Sequence, residues 1–363
     1  MIVMKKVLKI KFVGFWEGFS KNKNILCQTI RKFYEIEETD NPDYIICSVF
    51  KDNNNYFEYF DYPQVRILFS GENVVPDFNT VDYAISSYPI QFQDRHLHYP
   101  YCFDDFNEHC SKLLKKDRMY AKEVLSQKIY FANFIASHDS ENNIRGDFFR
   151  CLSNYKRIES PGTFLNNTIN DYTVNLHDNT KIEFQKKCKF TICFESTCHE
   201  GFITEKITDA FYADTIPIYY GSLDVKTIFN PEAFINCRDF SSFDEVIKRI
   251  IEIDQDDNKY LEMLRKPIFI DDSIVESKEK EIENFVKNIF DQPLSQSYRR
   301  SRVYTPIHQE EYIQDLKRLK SRYEDSSIID DFSIDILIHH IKQKISNRLA
   351  KKVNVNRLFP FNR

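Results

Sequence analysis

The chain has 363 residues, of which 42% are apolar, 15% aromatic and 29% charged, so it is long enough for two cores and too mixed in character for a disordered or membrane-spanning protein. Its formal net charge of −5 argues against a general nucleic-acid binder, because affinity for phosphate backbones needs a basic surface. Nine cysteines, an odd number with no CxxC pair, indicate neither a disulfide framework nor a zinc knuckle and fit a reducing compartment. Cys188, Cys193 and Cys198 recur at regular spacing, but the first two fall in or beside an apolar run, where buried free thiols are common.

The first residues, MIVMKKVLKIKFVGFW, interrupt their apolar side chains with Lys5, Lys6, Lys9 and Lys11. That pattern excludes a signal peptide and a membrane span and predicts a first strand over residues 7–15. A helix over 24–34 and strands over 44–49, 64–69 and 81–86 follow, the alternation expected of a parallel α/β sheet. The lysine-rich stretch 111–128 reads as a helix or linker, and the boundary between an N-terminal domain (1–126) and a second domain (127–294) is placed there.

The alternation then resumes with a strand over 128–136, a helix over 145–155, a strand over 190–194, a helix capped by Thr204, a strand over 215–220, an apolar segment over 234–238 and a helix over 243–253. Residues 255–258 read as a polar surface loop, and the only DxD string, Asp254-Gln255-Asp256, reads as solvated. A helix over 276–290 is expected to cross back to the first domain. The remainder, 295–363, is a helical, basic tail: residues 341–363 carry Lys342, Lys344, Arg348, Lys351, Lys352, Arg357 and Arg363 without an acidic residue. Ile341, Ile345, Leu349 and Val353 recur there at helical spacing, so the segment fits either an anionic membrane surface or a helix packed on its own domain with a solvated basic face.

The chemistry concentrates between residues 190 and 222, FTICFESTCHEGFITEKITDAFYADTIPIYYGS, one βαβ unit with charge at its active end. Ligands of open α/β sheets bind beyond the carboxyl ends of the strands, and a helix start with free N–H groups suits a phosphate. Glu195 ends the strand, and Glu205 and Lys206 open the helix; alone, the pair could be an ordinary solvated ion pair at a helix start. Glu72 follows another apolar run, where its carboxylate could take a proton from a hydroxyl or serve as a cap or ion-pair partner. Arg145 opens a helix after the strand ending FIAS and supplies a second positive charge; Arg150, further along it, reads as a structural ion-pair partner.

The string CFES…GFITEKITDAFYADTIPIYYGS resembles the donor-binding motif of the α-1,3/4-fucosyltransferases of glycosyltransferase family 10. SGENVVPDFN (70–79), VDYAISS (81–87) and DRHLHYP (94–100) resemble the family's N-terminal block, and FANFIASHDSENNIRGDFFR (131–150) the start of its second domain. The likeness runs in the same order over roughly residues 5 to 290.

The resemblance implies a GT-B architecture of two facing Rossmann-type domains, with the acceptor mainly in the first and the donor in the second. It implies an inverting enzyme that moves L-fucose from GDP-β-L-fucose to a Lewis-type, N-acetylglucosamine-containing glycan in α-1,3 linkage, with no metal required. Carried over onto this sequence, Glu72 is the base, Arg145 and Lys206 offset the diphosphate charge, and Glu205 accepts from ribose hydroxyls. Glu195 binds sugar or orients its neighbours. Phe202 stands where many members have Tyr, so a hydroxyl contact to the donor is missing. Trp16, Glu17, His96 and His98 are candidates for the acceptor side. The absence of the anchor and stem of animal members points to the bacterial type, working at the cytoplasmic side or peripherally on the inner membrane. Two competing classes are a non-catalytic glycan- or nucleotide-binding protein and a GT-B transferase using another nucleotide sugar.

Overall fold

The computed structural model describes residues 5–16, 18–50, 58–104, 121–169, 173–174, 179–300 and 311–318. Glu17, most of the lysine-rich stretch before residue 121, and the basic segment 341–363 lie outside the described residues.

Two wholly parallel sheets form the frame. The first contains β1 (Lys6–Val13), β2 (Tyr34–Glu38), β3 (Tyr44–Cys47), β4 (Val65–Ser70), β5 (Tyr83–Ser86) and β6 (His96–His98), in the order β2-β1-β3-β4-β5-β6. The second contains β7 (Tyr130–Phe134), β8 (Ile158–Glu159), β9 (Cys188–Phe194), β10 (Ile216–Tyr220) and β11 (Ile235–Asn236), in the order β11-β10-β9-β7-β8. The central strands β3, β4 and β5 are buried at every position, which is why they read in sequence as unbroken apolar runs: helices or loops cover both faces of a parallel sheet.

The edges are different. β2 has the sequence YEIEE, and only Tyr34 is buried; its charge suits an edge strand, which must not recruit another chain. The sequence predicts helix up to residue 34 and no strand after it, because acidic residues depress strand propensity. α1 (Ile25–Phe33), capped by the Asn24 side chain accepting from the Cys27 N–H, hands over directly to β2.

α2 (Ala121–Ser126), α3 (Ile144–Ser153), α4 (Asn179–Gln185) and α5 (Glu205–Tyr212) precede or connect the strands of the second sheet, and α6 (Phe243–Asp254) and α7 (Asp257–Leu264) follow it. The predicted polar loop at 255–258 is shorter than expected, since Asp256 caps α7 by accepting from the N–H groups of Asn258 and Lys259. Asp254 of the DxD string is not solvated. It is buried and held by Lys156, by Lys189 at 2.8 Å and by the Tyr155 hydroxyl at 2.9 Å. The string is therefore split between an internal ion pair and a helix cap.

α8 (Ser273–Phe290) does cross back to the first sheet, as expected from its sequence. Val275, Ile282, Phe285, Val286, Ile289 and Phe290 are buried on one face, where each fully buried side chain contributes roughly 1.5–3 kcal/mol as an upper estimate. Phe290 packs edge-on against Tyr34 and Tyr44, and Lys6 Nζ donates to the Phe290 carbonyl at 2.6 Å. A short helix, α9 (Leu294–Ser297), then leads to Arg299 and Arg300.

Both arginine N–H groups, at 2.6 and 2.7 Å, and the Arg300 guanidinium converge on the buried carboxylate of Asp82, which also accepts from the Arg66 N–H at 2.8 Å. Replacing Asp82 by Ala leaves the Arg300 cation buried with the Pro63 carbonyl, at 2.7 Å, and no anionic partner among the described residues. We expect a loss of about 3–5 kcal/mol in urea unfolding of Asp82→Ala, with the returning C-terminal segment the first part to lose protection in hydrogen exchange.

Candidate active site

Each sheet reverses its winding once. In the first the reversal lies between β1 and β3, in the second between β7 and β9, and ligands of such sheets gather outside these points. At the second reversal the loop after β7 carries His138, Asp139 and Ser140, and the loop after β9 begins with Glu195.

Glu195 is fully enclosed. Its carboxylate accepts from the Thr204 backbone N–H at 2.9 Å and from the Thr204 hydroxyl at 2.9 and 3.0 Å, and it pairs with Lys206 Nζ at 3.1 Å. Thr204 in turn caps α5 and accepts from Lys206 Nζ at 2.9 Å. Lys206 thus commits two of its three N–H donors inward, while its side chain keeps 27% exposure for an incoming acceptor atom. Burial works against its charge, but Glu195 and then Glu205 outweigh it and hold the pKa above the ordinary lysine value.

The Glu205 carboxyl is pulled down to about 2: burial opposes ionisation, and Lys206, Lys181 and the backbone N–H at the helix start more than offset it. Behind α5, Lys181 of α4 forms a buried 2.6 Å ion pair with Asp209. The sequence signal for that pair is a lone carboxylate on the apolar face of the TEK helix, whose lysine partner lies 28 residues away in the chain.

Arg145 is buried rather than open to the cleft. Its Nε and Nη2 donate to the Phe194 carbonyl at 3.1 and 2.7 Å, and Nη1 donates to the His138 carbonyl at 3.0 Å. The side chain therefore stitches the end of β9 to the loop after β7. Ser140 Oγ accepts from the Arg145 N–H, and Asp139 accepts from the Gly146 N–H, so both tether the first turn of α3. Arg150 pairs with Asp147 on the surface at 2.9 Å, as its spacing suggested.

Glu72 lies on the other side of the cleft, two residues past the end of β4. It is half-buried, and none of the described hydrogen bonds engages its carboxylate. Burial raises its pKa above the ordinary glutamate value; Lys206 and His138 pull it down and Glu205 pushes it up. The carboxylate on the first sheet therefore feels the charges on the second. Asn73 Nδ2 donates across the cleft to Thr197 Oγ1 at 3.2 Å.

The remaining expected residues divide. Trp16 sits at the reversal point of the first sheet, edge-on to Phe50 and Phe19 with ring centroids 5.2 Å apart in both pairs. His96 is turned inward: its Nε2 pairs with Ser86 Oγ at 3.0 Å and its Nδ1 with the Ile90 carbonyl at 2.9 Å, and burial pushes its pKa down to about 4. Both ring nitrogens are thus spent inside the fold, a correction to the reading of this edge-strand histidine as an acceptor contact. His98 faces the seam between the sheets, where a Cβ on Gly201 would stand 2.6 Å from its Nε2. Phe202 is buried in the loop before α5. Among the described residues no group of three or more His, Cys, Asp or Glu side chains is arranged to hold a metal ion.

Two family models match the chain: the alpha-(1,3)-fucosyltransferase FucT N-terminal domain over residues 10–104, and glycosyltransferase family 10 (fucosyltransferase) C-term over residues 125–309. The chain belongs to glycosyltransferase family 10. An alpha-(1,3)-fucosyltransferase FucT of Helicobacter pylori is 31% identical over 290 residues, covering 71% of this chain and 59% of that protein. The chain thus spans less than two thirds of that relative. A 4-galactosyl-N-acetylglucosaminide 3-alpha-L-fucosyltransferase 9 of Mus musculus is 27% identical over 130 residues, 35% of this chain and 34% of that one. A crystal structure of an alpha1,3-fucosyltransferase with GDP-fucose superimposes with a TM-score of 0.62 at 27% identity, covering 79% of this chain and 93% of that one. The family 10 chain has the GT-B fold.

The depressed pKa of Glu205 has a consequence for acid stability. A carboxyl that titrates lower in the folded state than in the unfolded chain stabilises the fold above its unfolded pKa, and this contribution is lost as pH falls towards the folded value. Urea unfolding between pH 5 and pH 2 should therefore show a shallower loss of stability for Glu205→Gln than for wild type.

Proposed function

We propose that this chain is an inverting α-1,3-fucosyltransferase that moves L-fucose from GDP-β-L-fucose to a hydroxyl of an N-acetylglucosamine-containing glycan of the Lewis type. The observation that carries this reading is the half-buried Glu72 carboxylate, engaged by none of the described hydrogen bonds and within the electrostatic reach of Lys206 and Glu205 at the start of α5. The names of the relatives support the donor and the linkage.

In this reading the acceptor hydroxyl oxygen attacks the anomeric carbon from the face opposite the diphosphate, and its proton passes to Glu72. The bond from that carbon to the phosphate oxygen breaks with its electron pair leaving on GDP, so configuration inverts in one step through an oxocarbenium-like transition state and no sugar–enzyme adduct forms. Lys206 meets the leaving diphosphate with its remaining N–H, and Arg145 adds fixed positive charge from behind, a service a metal ion performs in other transferases. Glu205, ionised and half-exposed, accepts from ribose hydroxyls. Trp16 and Glu17 stand for the acceptor side.

GDP release from GDP-β-L-fucose, followed with and without N-acetyllactosamine and in EDTA, tests the reading. Wild type should show acceptor-stimulated, EDTA-resistant release, and Glu72→Gln should lose about 10²- to 10⁴-fold. Donor binding without turnover would replace the proposal by a binding protein, and turnover of another nucleotide sugar in a donor panel by a different transferase. Because burial raises the pKa of the base, kcat/KM should fall on acidification through a pKa above that of an ordinary glutamate, and a pH profile locates it.

The basic segment 341–363 supports peripheral attachment to an anionic inner-membrane face, where lipopolysaccharide or protein-linked glycans would be at hand; nucleic acid is not a partner in this reading. Sedimentation with vesicles containing about one third anionic lipid should retain the full chain and release a variant lacking 341–363, at low salt more than at high salt. Equal sedimentation would remove the membrane from the proposal.

A further inference from the structure

The turn Tyr101–Phe103, which follows β6, touches both halves of the cleft. Towards the first sheet, the Tyr101 ring lies flat against Gly71: a Cβ added at Gly71 would stand 2.3 Å from Cδ2, 2.6 Å from Cγ and 2.7 Å from Cε2 of that ring. The residue before Glu72 is thus a glycine because an aromatic ring occupies the space a side chain would need. Towards the second sheet, the Cys102 N–H donates to the Ile203 carbonyl at 2.9 Å, one residue before the Thr204 cap. Cys102 and Phe103 are buried in one continuous core with Ile203 and Ile207 of the TEK segment. Burial, then Asp104 and Glu205, push the Tyr101 phenol far above its ordinary pKa, and Glu72 adds to the same effect. The hydroxyl therefore stays neutral in the field of these three carboxylates.

We propose that Tyr101 is a positioning residue: its ring, backed by the 101–103 turn, sets the separation between the Glu72 carboxylate and the Thr204–Lys206 end of α5. The inference rests on the fucosyl-transfer reading for its effect on rate. A displacement of about 1 Å between a base and the group that holds the leaving group costs on the order of 100-fold in rate even when both residues are intact. No contact of Tyr101 with sugar or nucleotide is required.

The test uses the full chain with Tyr101→Phe, Tyr101→Ala and Gly71→Ala. Gly71 is not in the left-handed region, so the added methyl group acts through the ring rather than through backbone strain. Tyr101→Phe keeps the ring and should stay within about threefold of wild type, whereas Tyr101→Ala and Gly71→Ala should lower kcat by about 100-fold with GDP affinity, by calorimetry, within about threefold. In Tyr101→Ala water reaches Glu72, the burial that raises its pKa is relieved, and the acid limb of kcat/KM should move to lower pH.

Wild-type kcat in Tyr101→Ala overturns the inference. So does a lower kcat with an unmoved acid limb and a GDP-binding fraction that falls in proportion. NMR titration of the Glu72 carboxyl reads the placement without turnover. A downward shift in Tyr101→Ala supports the inference even for a wild type that binds GDP-fucose and transfers nothing, a result that overturns the transfer reading alone.

Discussion

The site depends on one enclosed carboxylate. Glu195 directly follows β9 with no solvent exposure of its side chain, a state that costs several kcal/mol unless charge and hydrogen bonds compensate it. The compensation comes from Thr204 and Lys206, nine and eleven residues further along. The loop between them is thereby closed, the start of α5 cannot drift from the end of β9, and Glu205 is left pointing outward between two tethered neighbours. In sequence, Glu195 fits a sugar contact and an orienting role equally well. The structure engages both of its oxygens with Thr204 and Lys206, an orienting arrangement within the loop.

The same loop fixes the second sheet to the first. Gly201 takes a left-handed backbone with φ of 78°, and any side chain there would run into the Ser87 carbonyl and the His98 ring. Beside it lie the Asn73–Thr197 bridge and the Cys102–Ile203 backbone bond. One apolar cluster runs from Leu8 and Ile46 of the first sheet through Tyr99 and Phe103 to Ile203, Ile207 and Tyr219 of the second half. Interfaces between freely moving domains are smaller and more polar than a shared core. The spacing of Glu72 and Lys206 is therefore a packing property of this fold, and α8 reinforces it by returning the chain to the first sheet, where Lys32 pairs with Glu279 and Glu283.

Much of this was legible in the sequence, and the unread parts share a cause. The βαβ unit around the TEK string, the capping role of Thr204 and the buried central strands were read correctly because apolar runs and caps are local signals. β2, β6 and β8 were not, because short edge strands carry polar residues and owe their existence to the neighbour they pair with. Asp254 reads as a solvated loop acid until Lys156 and Lys189, far away in sequence, are seen to enclose it. His96 fails for the same reason: whether a histidine meets a ligand or a serine is decided by β5, not by its own surroundings in the chain.

Arg145 and Lys206 look equivalent in sequence, two cations at two helix starts, yet the fold gives them different work. Arg145 spends three donors on two carbonyls, one at the end of β9 and one in the loop after β7. Lys206 gives two donors to its own loop and keeps a partly open side chain. Arginine suits the first task, since its rigid fork of donors can satisfy several carbonyls at once while its charge stays fixed at any physiological pH. Lysine suits the second, since in the proposed transfer a compact ammonium on a flexible stem can follow a phosphate oxygen as the sugar–oxygen bond lengthens. In the proposed transfer the arginine makes the end of the second sheet tolerant of negative charge, and the lysine holds that charge.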